Sequence, residues 1–226
     1  MIRFTTCIAI LFLYVIPAAA DDKPSKPKDA AAPNTAVAVK GTPKLDGQVD
    51  EIWKKTKAVK VQQSIVGLQQ IGDDDMATAT VKLMWDDKHI YALWNVKDPK
   101  LSDAGENPWD HDSVELFLDE NKKGTFSYEQ DDAQYRVDFK GQLSGQGAGF
   151  DVANLQAKTR QTKRGYIVEM AIKVNHAELK PGARLGLELQ VNDNAGHGAR
   201  GSVAKWVHAE DDSWEDTSQF GTLLVQ

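Results

Sequence analysis

The sequence predicts an all-β protein: an antiparallel β-sandwich of jelly-roll or immunoglobulin-like type, with at most one or two short helices. Three observations carry that expectation. Apolar and polar residues alternate with period two over many short segments. Clusters rich in Gly, Pro, Asn and Asp punctuate those segments at close intervals. No long stretch repeats its apolar residues at helical spacing.

The elements follow in order. Val37 and Val39 alternate, and Leu45-Asp46-Gly47 makes a turn. Asp50 to Lys55 is compatible with one helical turn carrying Trp53 inward. Val81, Leu83 and Trp85 mark a strand, Asp86-Asp87 turns the chain, and Ile90, Ala92, Trp94 and Val96 mark the next. Further strands are expected at Val114 to Asp119, Tyr135 to Phe139, Tyr166 to Ile172, Leu185 to Val191, Val203 to His208 and Thr222 to Val225. Asp98-Pro99, Lys122-Lys123-Gly124, Lys163-Arg164-Gly165 and Pro181-Gly182 are the turns between them, and the glycine-rich segment 141–149 is expected to be a flexible loop.

Residues 1–20 resemble a secretory signal peptide: Arg3 supplies the positive start, Ile8 to Ile16 the apolar run, and Ala18-Ala19-Ala20 the small residues before cleavage. The expected location is therefore periplasmic or extracellular, after cleavage near Ala20. The apolar run is short for a transmembrane span, and no membrane association is expected of the mature form. Cys7 lies inside the signal, so the mature chain would carry no cysteine and no disulfide. Residues 21–36, with Pro24, Pro27 and Pro33 among Lys and Asp, are expected to be a flexible tether, and 37–226 one folded domain, a monomer. Removing residues 1–20 takes one Arg and no acid, leaving 26 basic against 33 acidic residues and moving the net charge from -6 to -7. That balance argues against a nucleic-acid partner.

The chemistry concentrates around two tryptophans. Trp109 follows an Asn-Pro turn and precedes Asp110, His111 and Asp112; Trp214 sits in Asp-Asp-Ser-Trp-Glu-Asp. Neither indole has apolar company in its own segment. Alternation also turns Glu115, Arg136 and Gln190 away from the core, because their strand neighbours are apolar. If these strands adjoin, a carboxylate, a guanidinium and an amide share one sheet face. That face is either an ordinary solvated surface with one ion pair or a site for vicinal hydroxyls. Two displayed indoles favour the second, since a sugar ring offers a flat C–H face and a rim of hydroxyls.

At these residues the chain resembles carbohydrate-binding module family 9, known from bacterial xylanases. The resemblance runs from Lys40 to the C-terminus through GTPKLDGQVDEIW, VKLMWDD, VKDP, NPWDHDSVELFLDEN, DDAQYRVDF, GYIVEMAIK, LQVNDN and DSWEDTSQFGTL, in that order. It implies a non-catalytic β-sandwich that clamps a terminal, reducing-end sugar of cello- or xylo-oligosaccharides or polysaccharide chain ends between Trp109 and Trp214. Glu115, Arg136 and Gln190 then take hydrogen-bonding positions. Asp211 stands where the xylanase module carries an amide, and an ionised Asp accepts hydrogen bonds but donates none. The resemblance also implies structural calcium, for which Asp46, Asp50 and Asp98 at turns are the candidate ligands, and no organic cofactor. Two other classes compete. A glycoside-active enzyme would need a carboxylate pair, yet Glu115 beside Arg136 is held ionised rather than made an acid. A haem-carrying electron-transfer sandwich would draw on Met76, Met84, Met170, His111, His176, His197 and His208, but no c-type attachment motif is present.

Overall fold

The computed structural model describes residues 33–65, 75–194, 196 and 198–226. The expected signal peptide and all but 33–36 of the expected tether lie outside the described residues, as does His197. The first half contributes β1 (Thr35–Lys40), β2 (Val59–Val61), β3 (Gln63–Ser64), β4 (Thr78–Trp85), β5 (His89–Lys97) and β6 (Ser113–Asp119). The second half contributes β7 (Asp132–Asp138), β8 (Leu143–Gln146), β9 (Leu155–Thr162), β10 (Gly165–Lys173), β11 (Arg184–Asp193), β12 (Ser202–Lys205) and β13 (Gly221–Val225). The helical content among the described residues is confined to 3-10 turns at Glu51–Lys55, Pro108–Asp110 and Val152–Asn154. The protein is all-β.

The strands form one sheet whose main path runs β8-β7-β6-β11-β13-β1-β4-β5-β10-β9. The expectation of a purely antiparallel fold needs correction at its centre. β1 runs parallel to β13 on one side and to β4 on the other, so the sheet is mixed. Alternation reports which face a residue occupies but says nothing about the direction of the neighbouring strand.

The two ends of this path share one core. Val81, Leu83, Trp94, Val168 and Ile172 from β4, β5 and β10 cluster with Val114, Leu116, Val137, Leu187 and Leu189 from β6, β7 and β11. Phe139 and Tyr166, from opposite ends, bring their rings to 6.3 Å. A second, smaller cluster covers the other face of β4, β5 and β10, where Trp53 packs with Met84, Tyr91, Leu93 and Ile167.

Three local departures have physical reasons. The segment expected to be a flexible loop contains β8, which pairs with β7. Its glycine permits close approach: a Cβ on Gly145 would lie 2.1 Å from the Gln134 carbonyl oxygen and 2.4 Å from the Phe150 ring. β9 escaped the period-two pattern because it is an edge strand, half-exposed, with Leu155 and Ala157 its only apolar residues. The strand expected over Val203 to His208 stops at Lys205, where the chain leaves the sheet to build the loop that carries Trp214.

Candidate functional site

The site grows from one file of polar side chains. Strand register sets Ser144 opposite Arg136, Arg136 opposite Glu115, Glu115 opposite Gln190, and Gln190 opposite Lys205. The file therefore crosses β8, β7, β6, β11 and β12 on the face turned from the core. Glu115, Arg136 and Gln190 are brought together, yet none is solvated: they are 1%, 6% and 3% exposed.

Glu115 is the hub. Its Oε1 accepts from Arg136 Nε at 2.5 Å and Asn192 Nδ2 at 2.7 Å, and its Oε2 from Gln134 Nε2 at 2.7 Å and Gln190 Nε2 at 3.1 Å. A carboxylate offers about four acceptor sites, so this one is saturated. Burial works to raise the Glu115 carboxyl, but the charges of Arg136 and Arg200 and the hydrogen bonds from Arg136 and Asn192 outweigh it and hold the pKa below the usual value. The hub aims its neighbours more than it offers itself. Gln134 Oε1 is buried without a hydrogen-bond partner among the described residues, and Arg136 Nη1 keeps only a 3.3 Å contact to Ser144 Oγ.

Two loops raise the indoles above this floor. The Asn-Pro turn starts the short helix 108–110, in which Asp110 N donates to the Asn107 carbonyl at 2.9 Å and Asn107 Nδ2 to Asp110 Oδ2 at 3.0 Å. Gly105 lets that turn close, because a Cβ there would sit 2.1 Å from Asp110 Cβ. Trp109 is thereby held over Arg136, whose guanidinium carbon lies 5.9 Å from the ring centre. On the other side, Glu215 N and Asp216 N both donate to the Asp212 carbonyl, at 2.9 and 3.0 Å, which winds the loop around Trp214. Tyr128 Oη donates to the Ser213 carbonyl at 2.6 Å, and Gln146 Nε2 to the Trp214 carbonyl at 3.2 Å. Both indoles remain about half exposed, at 45% and 47%. They line one cleft of about 340 Å³ with Glu115, Arg136, Gln190 and Asp211.

The same cleft is lined by side chains that the sequence reading missed: Phe117, Gln134, Gln146 and Arg200. A signal existed for two of them. Phe117 lies two residues beyond Glu115 and Gln134 two before Arg136, so period two places each on the same face as its neighbour. Asn192, two beyond Gln190, follows the same rule. Arg200 sits in a loop, where no period applies. It donates through Nη1 to Asn192 Oδ1 at 3.2 Å and pairs through Nη2 with Asp211 Oδ2. Burial raises the Asp211 carboxyl above its ordinary value, against the opposing charges of Arg200 and Lys205.

The calcium candidates Asp46, Asp50 and Asp98 do not all meet at one place. Asp98 directly follows β5, whereas Asp46 and Asp50 lie near Gly47, whose N–H donates to Glu169 Oε2 at 2.8 Å in the middle of β10. Glu169 lies opposite Leu93, five residues from Asp98, or about 17 Å along a strand. Asp98 instead meets Asp112 and Asp193, with one oxygen from each carboxylate within 4.8 Å of the others. Burial and the neighbouring carboxylates push Asp112 up to about 8 and Asp98 up to about 6, and Asp98 Oδ2 is buried. Asp119, Asp131 and Asp132 form a second such group, in which Asp119 Oδ1 and Asp132 Oδ1 are buried without a hydrogen-bond partner among the described residues. Both donor sets fit a hard, oxygen-loving cation. The haem candidates are spread apart: Met84 and Met170 belong to the clusters on opposite faces of the sheet, and His208 Nδ1 lies 3.0 Å from Ser213 Oγ.

A family model described as "Carbohydrate family 9 binding domain-like" matches residues 45–226. The exoglucanase XynX of Acetivibrio thermocellus is 41% identical over 190 residues, 84% of this chain and 17% of that protein. Endo-1,4-beta-xylanase C of Paenibacillus barcinonensis is 44% identical over 186 residues, 82% of this chain and 16% of that protein. The chain thus spans about a sixth of the length of these curated relatives. Among solved structures, a carbohydrate binding module family 9 from Caldicellulosiruptor kristjanssonii in complex with cellotriose superimposes with a TM-score of 0.77 at 30% identity, covering 85% of this chain and 93% of that one. The same module in complex with glucose gives the same score. The matched region is a binding domain, not a catalytic one, and the chain belongs to the carbohydrate family 9 binding domain-like family.

Proposed function

We propose that the chain is an exported, non-catalytic carbohydrate-binding protein that clamps the reducing-end sugar of a β-1,4-glucan or xylan chain between Trp109 and Trp214. The observation that carries this is the cleft: two half-exposed indoles above a buried floor of Arg136, Glu115 and Gln190. Indole faces suit the apolar C–H faces of a pyranose, and planar polar groups suit its hydroxyl rim. The cellotriose and glucose complexes of the Caldicellulosiruptor module and the xylanase relatives support the choice of ligand. Glu115 fixes the donors, Arg136 donates to sugar oxygens, and Gln134 Oε1 accepts from a hydroxyl. No covalent step is involved.

Calorimetric titration with cellobiose, xylobiose and their borohydride-reduced forms tests the proposal. Binding of the intact disaccharides that disappears on reduction is expected. Equal binding of the reduced forms would remove the reducing-end assignment, and no binding of any of the four would remove the ligand class.

Asp211 gives the site a pH signature. Arg200 holds the Asp211 carboxylate as an acceptor, and burial raises its pKa. As pH falls, Asp211 therefore protonates before Glu115, whose pKa is depressed. Disaccharide affinity should weaken in an acid limb starting above the usual Asp range, and Asp211→Asn should lack that limb. The check is affinity against pH for both proteins.

Calcium is proposed as a structural ion at the Asp98, Asp112, Asp193 group and at the Asp119, Asp131, Asp132 group. A cation held at a hundredfold excess over its Kd contributes about 2.7 kcal/mol to the folded state. For a domain of this size that corresponds to a rise in Tm of roughly 5–10 °C. Thermal melts with calcium and with a chelator should differ by that much for each occupied group, and Asp112→Asn should remove the share of its own group.

A further inference from the structure

A second groove, of about 600 Å³, lies on the other outward face of the folded sheet. Thr78, Thr80, Asn95 and Lys97 alternate with the core residues Ala79, Val81, Trp94 and Val96, so they point away from the core. The cleft between the tryptophans is on the outward face of β6, β7 and β11. Because the two ends of the sheet pack core to core, the two recesses open in opposite directions.

Among the described residues the groove is lined by Lys60, Lys97, Lys163 and Arg164 and by no acidic side chain, in a chain whose net charge is -6. None of these four cations enters an ion pair among the described residues. Register fixes their spacing. Lys60 on β2 is opposite Thr80 on β4, and Thr78, two residues away, is opposite Lys97 on β5. Lys60 and Lys97 are therefore separated by about 10 Å across the strands and about 7 Å along them. Lys163 and Arg164 form the β9–β10 turn beyond, where Gly165 is opposite Lys97. The cations thus flank a trough in file, and its floor is made of hydroxyls and an amide.

We infer that this groove is a second binding site, for a carboxylate-bearing polysaccharide such as a uronic-acid chain. Spaced cations match carboxylates repeated along a polymer, and Thr78, Thr80 and Asn95 match the hydroxyls between them. Among the described residues no aromatic side chain lines the trough, so they offer nothing on which nucleic-acid bases could stack. For the same reason neutral sugars lack a platform there, and recognition rests on charge. The site is separate from the cleft between Trp109 and Trp214 and does not depend on the function proposed for it.

Native electrophoresis through gels containing polygalacturonate tests the inference, with fully methyl-esterified polygalacturonate as the neutral control. The wild-type protein should be retarded by the acid form alone, with apparent affinity falling roughly tenfold between 50 and 300 mM salt as screening shortens. The exposed-surface variant Lys97→Ala/Lys163→Ala/Arg164→Ala should lose the retardation, and Trp214→Ala should keep it. Absence of retardation, equal retardation by the esterified polymer, or full retardation of the triple variant would overturn the inference. Loss of retardation in Trp214→Ala would place the acidic chain in the other cleft, and equal retardation by duplex DNA would reduce the groove to non-specific charge; either overturns it as well.

Discussion

Trp214→Ala should weaken cellobiose binding by about thirtyfold or more, the factor that corresponds to a hot-spot loss of about 2 kcal/mol. The stability of the same variant should stay within about 1 kcal/mol of wild type, because a half-exposed side chain leaves little cavity when truncated. The contrast follows from where this indole sits. Its own hydrogen-bond anchors are main-chain groups: the Ser213 carbonyl takes Tyr128 Oη and the Trp214 carbonyl takes Gln146 Nε2. Those bonds survive truncation, so the loop keeps its course while the cleft loses a wall. Trp109→Ala should behave alike, with the added exposure of Arg136 to solvent on the side that the ring covers. Trp53 and Trp94, both fully buried, make the controls: their truncation empties a core position and should cost about 3–5 kcal/mol. Calorimetry paired with denaturant unfolding separates the two outcomes. Unchanged affinity in Trp109→Ala or Trp214→Ala would remove the clamp, whatever the stability data show.

The fold class was legible because period two is a local property, and each strand states its own buried face. Glu115, Arg136 and Gln190 could be assigned to one face for that reason. Their burial could not, since the cover comes from loops: Trp109 from the turn before β6, Trp214 from the excursion after β12, and Arg200 from the loop after β11. Arg200 is the clearest case, as its partner Asp211 is eleven residues on and only tertiary structure pairs them. The parallel setting of β1 was hidden because strand direction leaves no mark on alternation. Turn chemistry points to single carboxylates and not to groups of them. Asp46, Asp50 and Asp98 all occupy turns, but Asp98 Oδ1 and Asp46 Oδ1 each take a local N–H, the ordinary work of Asp at such positions. Asp112 and Asp193 come together with Asp98 from strand termini that adjoin only in the folded sheet.

Lys205→Met should produce the largest loss of stability among the polar positions, about 3–5 kcal/mol. For a domain of this size that lowers Tm by roughly 6–20 °C. Lys205 is fully buried, and its ammonium donates to the Glu210 carbonyl at 2.7 Å and to Ser213 Oγ. Burial lowers its pKa, with the charges of Glu188 and Asp211 opposing the shift. Removing it strands the loop that carries Asp211 and Trp214, so sugar affinity should fall with stability. It also takes away the positive charge that most lowers the Glu188 pKa. That carboxylate accepts from Trp206 N and His208 N at 2.8 Å each and from Val207 N at 3.1 Å; burial already raises its pKa, and the Lys205 charge is the largest influence holding it down. Without Lys205 the folded-state pKa of Glu188 rises further above its unfolded value. A carboxylate so shifted binds its proton more tightly in the folded chain, so stability falls as pH rises through the interval between the two values. The gap between wild type and Lys205→Met should therefore be wider at pH 8 than at pH 5, and adding Glu188→Gln should remove most of that pH dependence. Denaturant midpoints for the three proteins at both pH values decide the matter. A gap independent of pH would mean that Lys205 acts through packing against Phe117, whose ring centre lies 5.9 Å from its ammonium, and not through the charge it shares with Glu188.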